Sequence, residues 1–433
     1  MKKNYKFLTG LALVLANQLI SAQLTVMTVG EYIPGGVSDN GIVSFFNTSS
    51  GDTYKWDSTG GFVQIGSGIG SAISGYARIT RDGSKIASTV TNPDTNVPEV
   101  AVYDLATGTW TFLGSIAPLQ SGWNLLSYAT DFSKDGTAIV GAGQISEFDW
   151  HALKWDAVNG MQDLGSIVSG LSSRGNGIST DKTVVVGYQL EGSSFRGAKW
   201  VNGVESFILD NNNIKVGEAW AVAEDGKTIV GTSNPNAYVW KEGSGVTYIT
   251  HPNAGSSFRG ASMAVSEDGS IVLGYYRPFP GSVVGGEGFI WTPSGGRVNL
   301  NDYVTGLGID TQGIKLSFPV AISSDKMKIV GLGVKTATFQ TVGFYLDLTS
   351  ATLASQNIKT PNNISVFPNP VKDILTITGG KIQSAEIYSI TGQKIKSLKL
   401  DNNKADVSSL PKGTYLLQTN SGAEKQSIKF IKE

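Results

Sequence analysis

Two sets of side chains in this sequence could carry out chemistry on a polysaccharide. The first contains His251, Tyr275 and Tyr276 as candidate bases, with Arg259 and Arg277 in the same part of the chain. A base next to an Arg that neutralises a carboxylate is the arrangement that a lyase acting on uronic acids needs. The second is a set of carboxylates, of which a glycosidase needs two at about 5–10 Å: Glu147, Asp149, Glu191, Glu218, Glu287 and Asp302. The sequence does not show which of them converge.

The same segments contain the side chains that a glycan-binding site needs. Aromatic faces stack on sugar rings, and Arg, Asn and Asp side chains bond to hydroxyl groups. The predicted ligand-binding residues are His251, Arg259, Arg277, Arg196, Tyr275, Tyr276, Trp220 and Trp123. These aromatic residues could instead fill the space between neighbouring sheets. Two hypotheses for function therefore stand: a binding or adhesion module for glycans, and alternatively a secreted glycosidase or lyase.

The heptapeptide GSSFRGA occurs twice, at Gly192–Ala198 and at Gly255–Ala261. Both copies fall in segments that we predict to lie on the same side of the molecule. They could supply paired Arg sites for acidic groups, or they could be a remnant of duplicated sequence.

Composition excludes several classes of function. The chain has 433 residues, no Cys, two His and a formal net charge of −1. Without Cys there is no disulfide, thiolate nucleophile or Cys-ligated zinc, and two His leave little material for a Ser-His-Asp set. We expect neither a metal nor a cofactor. Acidic side chains outnumber basic ones in residues 23–360, so we expect no nucleic-acid partner.

These residues lie within a sequence repeat. Each copy has a small-residue segment, an Asp-Gly pair or a variant of it, a β-branched run, a variable loop, a segment that ends near a large residue, and a final short strand. The large residues lie roughly 40–55 residues apart, as in four-stranded propeller blades: Trp56, Tyr103, Trp155, Trp200, Trp240, Trp291 and Leu346. Residues 23–348 are therefore predicted to form an all-β, seven-bladed propeller.

Two details of the repeat predict how the propeller turns and how it closes. The Asp-Gly pairs favour tight hairpins over calcium loops, because the spaced ligands and distal Glu of such loops are absent. The seventh copy lacks a fourth strand, whereas Leu24–Gly30 has the pattern of a fourth strand before the first copy. We expect Val26 and Val29 to lie beside Phe344 to Leu346, so that the N-terminal strand closes the ring.

The connections between second and third strands and between blades are long, and they lie on one face. Such loops on a rigid scaffold are common sites of binding. The predicted loops include Asp210 to Trp220, Tyr275 to Gly288 and Asn301 to Phe318. The Asp-Gly hairpins lie on the opposite face.

One copy contains HALKW at His151–Trp155 and GMQDLG at Gly160–Gly165. These motifs resemble the HAF-repeat family of extracellular repeats, named for a His-Ala-Phe triplet. The other copies differ at the His position, with Asp52, Glu99, Arg196, Asn236, Glu287 and Val342. The resemblance covers residues 24–348 and implies a propeller-like fold with no established chemistry. We interpret His151 as structural.

The N-terminus has the pattern of a secretory signal peptide. Lys2, Lys3 and Lys6 precede the apolar run Phe7–Ala16, and a cleavage site follows Ala22. The apolar run is shorter than the roughly 20 residues of a membrane-spanning helix. Residues 1–22 are therefore predicted to direct export, and no later segment is apolar enough to span a membrane.

After a linker at residues 349–360, residues 361–433 alternate apolar and polar positions, which predicts a small β-sandwich. Several motifs there resemble the type IX (Por) secretion sorting domain of Bacteroidetes: Phe367, Pro368, Asn369, Pro370, Pro411, Gly413, Tyr415, Lys429 and Lys432. The resemblance implies that the type IX secretion machinery is a partner. It also implies release of the body or its attachment to the outer-membrane surface, with lipopolysaccharide as a possible anchor.

Overall fold

The computed structural model describes residues 23–30, 32–68, 75–349, 365–378, 382, 384–389, 394–420 and 425–433. The predicted signal peptide at residues 1–22 and the predicted linker from residue 350 onward lie outside these ranges. The chain divides into two compact units, Met1–Thr352 and Leu353–Glu433, and each is described by itself.

In its described part, the first unit contains seven four-stranded antiparallel sheets. Sheet 1 contains β2 (Tyr32–Val37), β3 (Val43–Asn47), β4 (Thr53–Asp57) and β5 (Gly61–Gly66). Sheet 2 contains β6 (Arg78–Ile79), β7 (Lys85–Asn92), β8 (Val97–Asp104) and β9 (Thr109–Gly114). Sheet 3 contains β10 (Ser127–Phe132), β11 (Ala138–Gln144), β12 (Trp150–Asp156) and β13 (Gly160–Asp163). Sheet 4 contains β14 (Ser173–Ile178), β15 (Val184–Glu191), β16 (Ser194–Val201) and β17 (Val204–Phe207).

Sheet 5 contains β18 (Ala219–Val222), β19 (Thr228–Ser233), β20 (Asn236–Lys241) and β21 (Gly245–Ile249). Sheet 6 contains β22 (Phe258–Val265), β23 (Val272–Pro278), β24 (Glu287–Thr292) and β25 (Gly296–Asn299). Sheet 7 contains β26 (Ile314–Ile322), β27 (Lys328–Lys335), β28 (Thr341–Asp347) and the N-terminal strand β1 (Gln23–Val29). A short 3₁₀ helix at Val283–Gly285 and helix α1 at Leu300–Gly306 lie between strands. The large residue of each repeat lies in the third strand of its sheet, as predicted.

The Asp-Gly hairpins are built from hydrogen bonds within the turn. In sheet 3, Ser133 Oγ donates to Asp135 Oδ1 at 2.7 Å and accepts from the amide of Ala138 at 2.9 Å. Gly136 adopts a φ of 70°, a conformation that glycine adopts readily. The same bond from Ser or Thr to an Asp or Asn two residues later occurs in sheets 1, 2, 4, 6 and 7. These carboxylates serve the turns, which supports the interpretation as turn chemistry.

The N-terminal strand pairs with the last strand of the seventh repeat. Leu24 lies opposite Leu346 and Val26 opposite Phe344 in an antiparallel register. The pairing of these two strands was predicted from the missing fourth strand of the seventh repeat. It is confirmed for Val26, whereas Val29 lies opposite Val342 and not beside Phe344 to Leu346. Strand β1 thereby supplies hydrogen-bond partners to the outer edge of β28.

Apolar clusters join the sheets in chain order. Each sheet shares a cluster of buried side chains with the next, and a further cluster joins sheet 7 to sheet 1. That last cluster contains Val43 and Phe45 of sheet 1 with Val330 and Tyr345 of sheet 7. Four-stranded antiparallel sheets packed face to face in this way are the architecture of a β-propeller.

One predicted loop is partly helical. The segment from Asn301 to Phe318 begins within α1 and ends within β26. The side chain of Asn299 accepts a hydrogen bond from the amide of Asn301 and caps the helix. Leu300 and Val304, one helical turn apart, are both buried, so this short helix packs against the body.

The described residues of the second unit form two sheets. One has β29 (Ser365–Phe367), β30 (Ile374–Thr378) and β33 (Lys404–Asp406), and the other has β31 (Ser384–Ser389), β32 (Lys394–Leu398), β34 (Gly413–Asn420) and β35 (Lys425–Lys432). A cluster that includes Leu375, Ile377, Ile387, Leu417 and Phe430 draws on both sheets. This unit therefore has its own apolar core.

Several residues of the predicted sorting signal hold this unit together. The hydroxyl of Tyr415 donates to the carbonyl of Pro411 at 2.8 Å, and its ring stacks on Phe430. Asn369 Oδ1 accepts from the amide of Ile431 at 2.8 Å. Phe367 is half exposed, whereas Lys432 is buried. Pro368 and Pro370 flank Asn369, Gly413 begins β34, and Lys429 lies in β35.

Candidate functional site

The two ends of the sheets give the first unit two faces. The Asp-Gly hairpins join first and second strands at one end. The turns between second and third strands lie at the other end because neighbouring strands are antiparallel. We call this second end the loop face.

Side chains of the hairpins contact one another across the face opposite the loop face. Arg81, in the hairpin of sheet 2, forms ion pairs with Glu224 of sheet 5 and Glu267 of sheet 6. Ser324 of sheet 7 donates a hydrogen bond to Glu267. Since these groups are committed to one another, the loop face is the better place to look for a ligand site.

The structure corrects the expected placement of six candidate residues, which were expected in loops but lie in strands. Trp220 lies in β18, and Tyr275 and Tyr276 lie in β23. The other three lie near strand ends, Arg196 in β16, Arg259 in β22 and Arg277 in β23. Tyr276 is fully buried, and its hydroxyl donates to the carbonyl of Ile249. It fills the space between sheets 5 and 6, so its ring has no free face for a ligand.

Tyr275 and Tyr276 also point to opposite faces of sheet 6, because side chains alternate along a strand. Tyr275 and Trp220 both pack against an apolar cluster that includes Ala261, Met263 and Phe318. Tyr275 therefore lies on the side of sheet 6 that faces sheet 7, away from Tyr276. The two phenols do not converge on one reacting atom.

His251 is held by a network of its own. Its Nε2 lies 3.1 Å from Glu287 Oε1, and its Nδ1 accepts from the amide of Asn253 at 3.0 Å. The imidazole packs against the rings of Phe258 and Tyr276. Burial lowers the pKa of His251, although Glu287 opposes this effect. This environment is typical of a histidine packed in a core and not of a general base that is free to accept a proton from a substrate.

The other histidine, His151, bonds within sheet 3. Its Nδ1 lies 3.0 Å from Asp163, at the end of the neighbouring fourth strand. This contact supports the structural interpretation of His151.

Three of the six candidate carboxylates are held by cations. Glu191 contacts Arg196 at 3.2 Å and also contacts Lys215. Glu287 contacts Arg297 at 2.9 Å, in addition to His251. Of the remaining three, Glu147 and Asp149 lie in the turn between β11 and β12, and Asp302 is in the first turn of α1.

The third held carboxylate, Glu218, belongs to a buried network that the sequence did not indicate. Arg174 Nη2 lies 2.6 Å from Glu218 Oε1, and Asn176 Nδ2 donates to the same oxygen at 2.8 Å. The guanidinium of Arg174 also faces the rings of Tyr188 and Trp220. Burial raises the pKa of Glu218, while Arg174 opposes that shift. One signal for this network was present in the sequence: Arg174 is a charged residue in the innermost strand of sheet 4, where small residues predominate.

A cleft opens on the loop face between sheets 4 and 5. Its volume is about 430 Å³. The wall carries Phe195, whose ring is 50% exposed and packs edge-on against Tyr188. The remaining lining is largely polar: Ser193, Ser194, Arg196, Lys215, Gly217, Glu218, Thr232, Ser233 and Asn234. We call this region the 4/5 cleft. Among the predicted binding residues it contains Arg196.

A second feature of the loop face lies at sheet 6. Arg259 and Arg277 are directly paired in the register of β22 and β23, so their side chains share one face of the sheet. Both guanidinium groups lie over Phe279, with Cζ 3.8 Å and 5.5 Å from the ring centroid. Lys315, at the start of β26, donates to the carbonyl of Gly285 at 3.5 Å. We call Arg259, Arg277, Phe279 and Lys315 the sheet 6 patch.

The predicted binding residues thus separate into groups. Arg196 lies in the 4/5 cleft, Arg259 and Arg277 lie in the sheet 6 patch, and His251, Tyr275 and Tyr276 are packed between sheets. Trp220, in the innermost strand of sheet 5, is half-buried and lines a cavity of about 60 Å³ with residues of sheets 2, 3, 4, 6 and 7. Trp123 lies half-buried in the connection between β9 and β10. Phe195, Phe279, Lys215 and Lys315 were not singled out as binding residues, because only the fold brings them beside these Arg residues.

The C-terminal unit has a recognisable family. Residues 365–433 match the family described as the secretion system C-terminal sorting domain. This match indicates sorting by a type IX system, and the protein is secreted or attached to the outer-membrane surface. Among the described residues, no helix is long and apolar enough to cross a membrane.

Comparisons of the whole chain give weaker results. No curated protein matches it. An oligogalacturonate lyase in complex with manganese shares 12% identity over 75% of this chain and 93% of its own, with a TM-score of 0.47. The β-propeller domain of a trilobed protease from Pyrococcus furiosus shares 14% identity over 73% and 94%, with a TM-score of 0.45. TolB from Acinetobacter baumannii shares 14% identity over 72% and 78%, with a TM-score of 0.41. At these values no residue role is transferred.

Proposed function

We propose that this protein is an exported glycan-binding module and that the 4/5 cleft is its binding site. The observation that carries the proposal is the exposed ring of Phe195 beside hydroxyl, amide and charged side chains in one cleft. A sugar has an apolar face that stacks on an aromatic ring and a polar edge that needs hydrogen-bond partners. The 4/5 cleft offers both.

The proposal includes the finer organisation of the chain. The seven sheets at residues 23–348 form the blades of one ring that β1 closes, in line with the resemblance to HAF repeats. Residues 1–22 act as a signal peptide, residues 349–360 as a linker, and residues 361–433 as a small β-sandwich recognised by the type IX machinery. A chain that stays at the cell surface would be anchored there through lipopolysaccharide.

A binding role accounts for the loop face better than the alternative of a glycosidase or lyase. A general acid must be free to exchange a proton with the substrate. Glu191, Glu218 and Glu287 are instead engaged by cations, and His251 is bonded on both ring nitrogens. For these four residues, the contacts favour recognition of a glycan over turnover.

The test is binding of the purified protein to a glycan array, followed by affinity measurements with Phe195→Ala. We expect the substitution to weaken binding by roughly 5- to 30-fold, because loss of an aromatic contact is worth about 1–2 kcal/mol. Phe148→Ala is the matched control, since Phe148 is 79% exposed in the turn between β11 and β12, outside the cleft. The control should bind as the unmodified protein does.

Two outcomes would overturn the proposal. The first is the absence of binding to any member of the array. The second is product formation from a bound polysaccharide, detected by chromatography of the reaction mixture, which would establish the enzyme alternative.

A further inference from the structure

The sheet 6 patch differs electrostatically from the other Arg sites of the loop face. Arg196 has Glu191 as an ion-pair partner, Arg174 has Glu218 and Arg297 has Glu287. Within the described ranges, no ion pair joins Arg259, Arg277 or Lys315 to a carboxylate. The guanidinium groups of Arg259 and Arg277, which both lie over Phe279, thus have no ion-pair partner there, and neither does Lys315.

The hydrogen bonds of the patch position these cations without neutralising them. Arg259 Nε donates to the carbonyl of Ser256 at 3.0 Å, and Arg277 Nη1 donates to the carbonyl of Gly281. Lys315 donates to Gly285, which lies on the same loop between β23 and β24. Each guanidinium carries five N–H groups, so both retain donors for a ligand.

Like charges held side by side repel each other, and an anion between them removes that repulsion. Arg matches the planar geometry of a carboxylate or the oxygens of a sulfate or phosphate through paired N–H groups. Phe279 is 40% exposed and offers an apolar surface next to the charges. A sugar ring that bears an anionic group fits both features.

We propose that the sheet 6 patch selects anionic polysaccharides, recognising carboxylate or sulfate groups through Arg259 and Arg277 with Lys315 adding charge. This inference rests on the proposed glycan-binding function and names the class of glycan. The patch and the 4/5 cleft lie on the same loop face, so a polymer can contact both. The cleft contacts the sugar ring, and the patch binds its anionic group.

The test uses one polymer backbone in three charge states: dextran, carboxymethyl dextran and dextran sulfate. The mobility of the full-length purified protein is measured in native gels that contain each polymer. Dissociation constants are calculated from the decrease in mobility. We expect the two anionic polymers to bind at least about tenfold more tightly than dextran. The preference should decline as salt is added, because exposed charges are screened.

Substitutions in the sheet 6 patch test whether it causes the preference for anionic polymers over dextran. Arg259→Ala/Arg277→Ala should reduce binding to both anionic polymers by at least about tenfold and leave binding to neutral glycans unchanged. Arg259→Lys/Arg277→Lys keeps the charge but loses the paired donors. Its affinity for the anionic polymers should therefore lie between that of the unmodified protein and that of the Ala variant. Lys227→Ala/Lys241→Ala is the control, because it removes two neighbouring cations from the hairpin end of sheet 5.

The outcomes separate this inference from the proposed function. Binding of array glycans that is insensitive to charge would refute the inference and leave the glycan-binding function intact. Equal loss in the lysine control would mean that only net charge matters, and this too would refute it. Binding to vesicles of phosphatidylglycerol in phosphatidylcholine, without binding to either anionic dextran, would assign the patch to a lipid surface and overturn it.

Discussion

The two copies of GSSFRGA have the same sequence but different environments. The first copy spans the turn between β15 and β16, whereas the second copy includes the turn that leads into β22. In the first, Phe195 is exposed and Arg196 pairs with Glu191. In the second, Phe258 packs against His251 with ring centroids 5.0 Å apart, and Arg259 lies over Phe279.

The residues that immediately precede the two copies also differ. Glu191 precedes the first copy and Ala254 the second. The carboxylate neutralises the first Arg, and its absence leaves the second Arg available. The position of a segment within its sheet decides which side chain reaches solvent, and one neighbouring residue decides whether its charge is free.

The largest expected difference between the two regions is in stability. Glu218 lines the 4/5 cleft and also holds the buried Arg174. Glu218→Ala leaves that guanidinium without its partner, so we expect the free energy of unfolding to fall by about 3–5 kcal/mol. Arg259→Ala removes a half-buried surface side chain that has no ion-pair partner among the described residues, and it should change the free energy of unfolding by less than about 1 kcal/mol.

Urea denaturation of the two variants measures this contrast. Similar losses in both would contradict it. They would mean that Arg259 of the sheet 6 patch contributes as much to the free energy of unfolding as Glu218 of the 4/5 cleft.

A second prediction converts the first copy into the second. Glu191→Ala makes the eight residues 191–198 identical to residues 254–261 and releases Arg196 and Lys215 from their shared carboxylate. We expect affinity for dextran sulfate to rise by about threefold to tenfold, with binding to dextran unchanged. Native-gel retardation measures both. A decrease in affinity for dextran sulfate would show that Glu191 organises the cleft and does not merely neutralise it.

The smallest expected effect concerns His251, which packs on Phe258 of the second copy. Burial lowers the pKa of His251, so the unfolded chain takes up this proton at a higher pH than the folded one. Stability should therefore decline as pH falls below the ordinary His value of about 6.5 and level off below the folded pKa. His251→Gln should remove part of this decline, by about 1 kcal/mol or less.

Thermal unfolding between pH 7.5 and pH 5 compares the two proteins. Parallel curves for His251→Gln and the unmodified protein would mean that Glu287 offsets the burial of the imidazole. In that case, His251 would contribute no pH dependence.

The repeat pattern predicted much of the fold because each copy contains its own strands and turn. The third-strand position of Trp155 and the pairing of Val26 with Phe344 both follow from aligning copies. The site was less predictable because it depends on contacts between sheets. Tyr276 appeared to belong to a loop, yet it fills a gap between sheets 5 and 6. Arg174 and Glu218 are 44 residues apart, and no local pattern joins them.

Hydrogen exchange of the unmodified protein, with and without a glycan that binds it, shows whether the loop face is the glycan-binding surface. We predict slower exchange at residues 191–197, 255–260 and 277–286, on the loop face of sheets 4 and 6. The Asp-Gly hairpins at residues 134–137 and 224–227 should exchange at the same rate in both samples. Protection confined to those hairpins, or to residues 365–433, would contradict the assignment of the loop face as the glycan-binding surface.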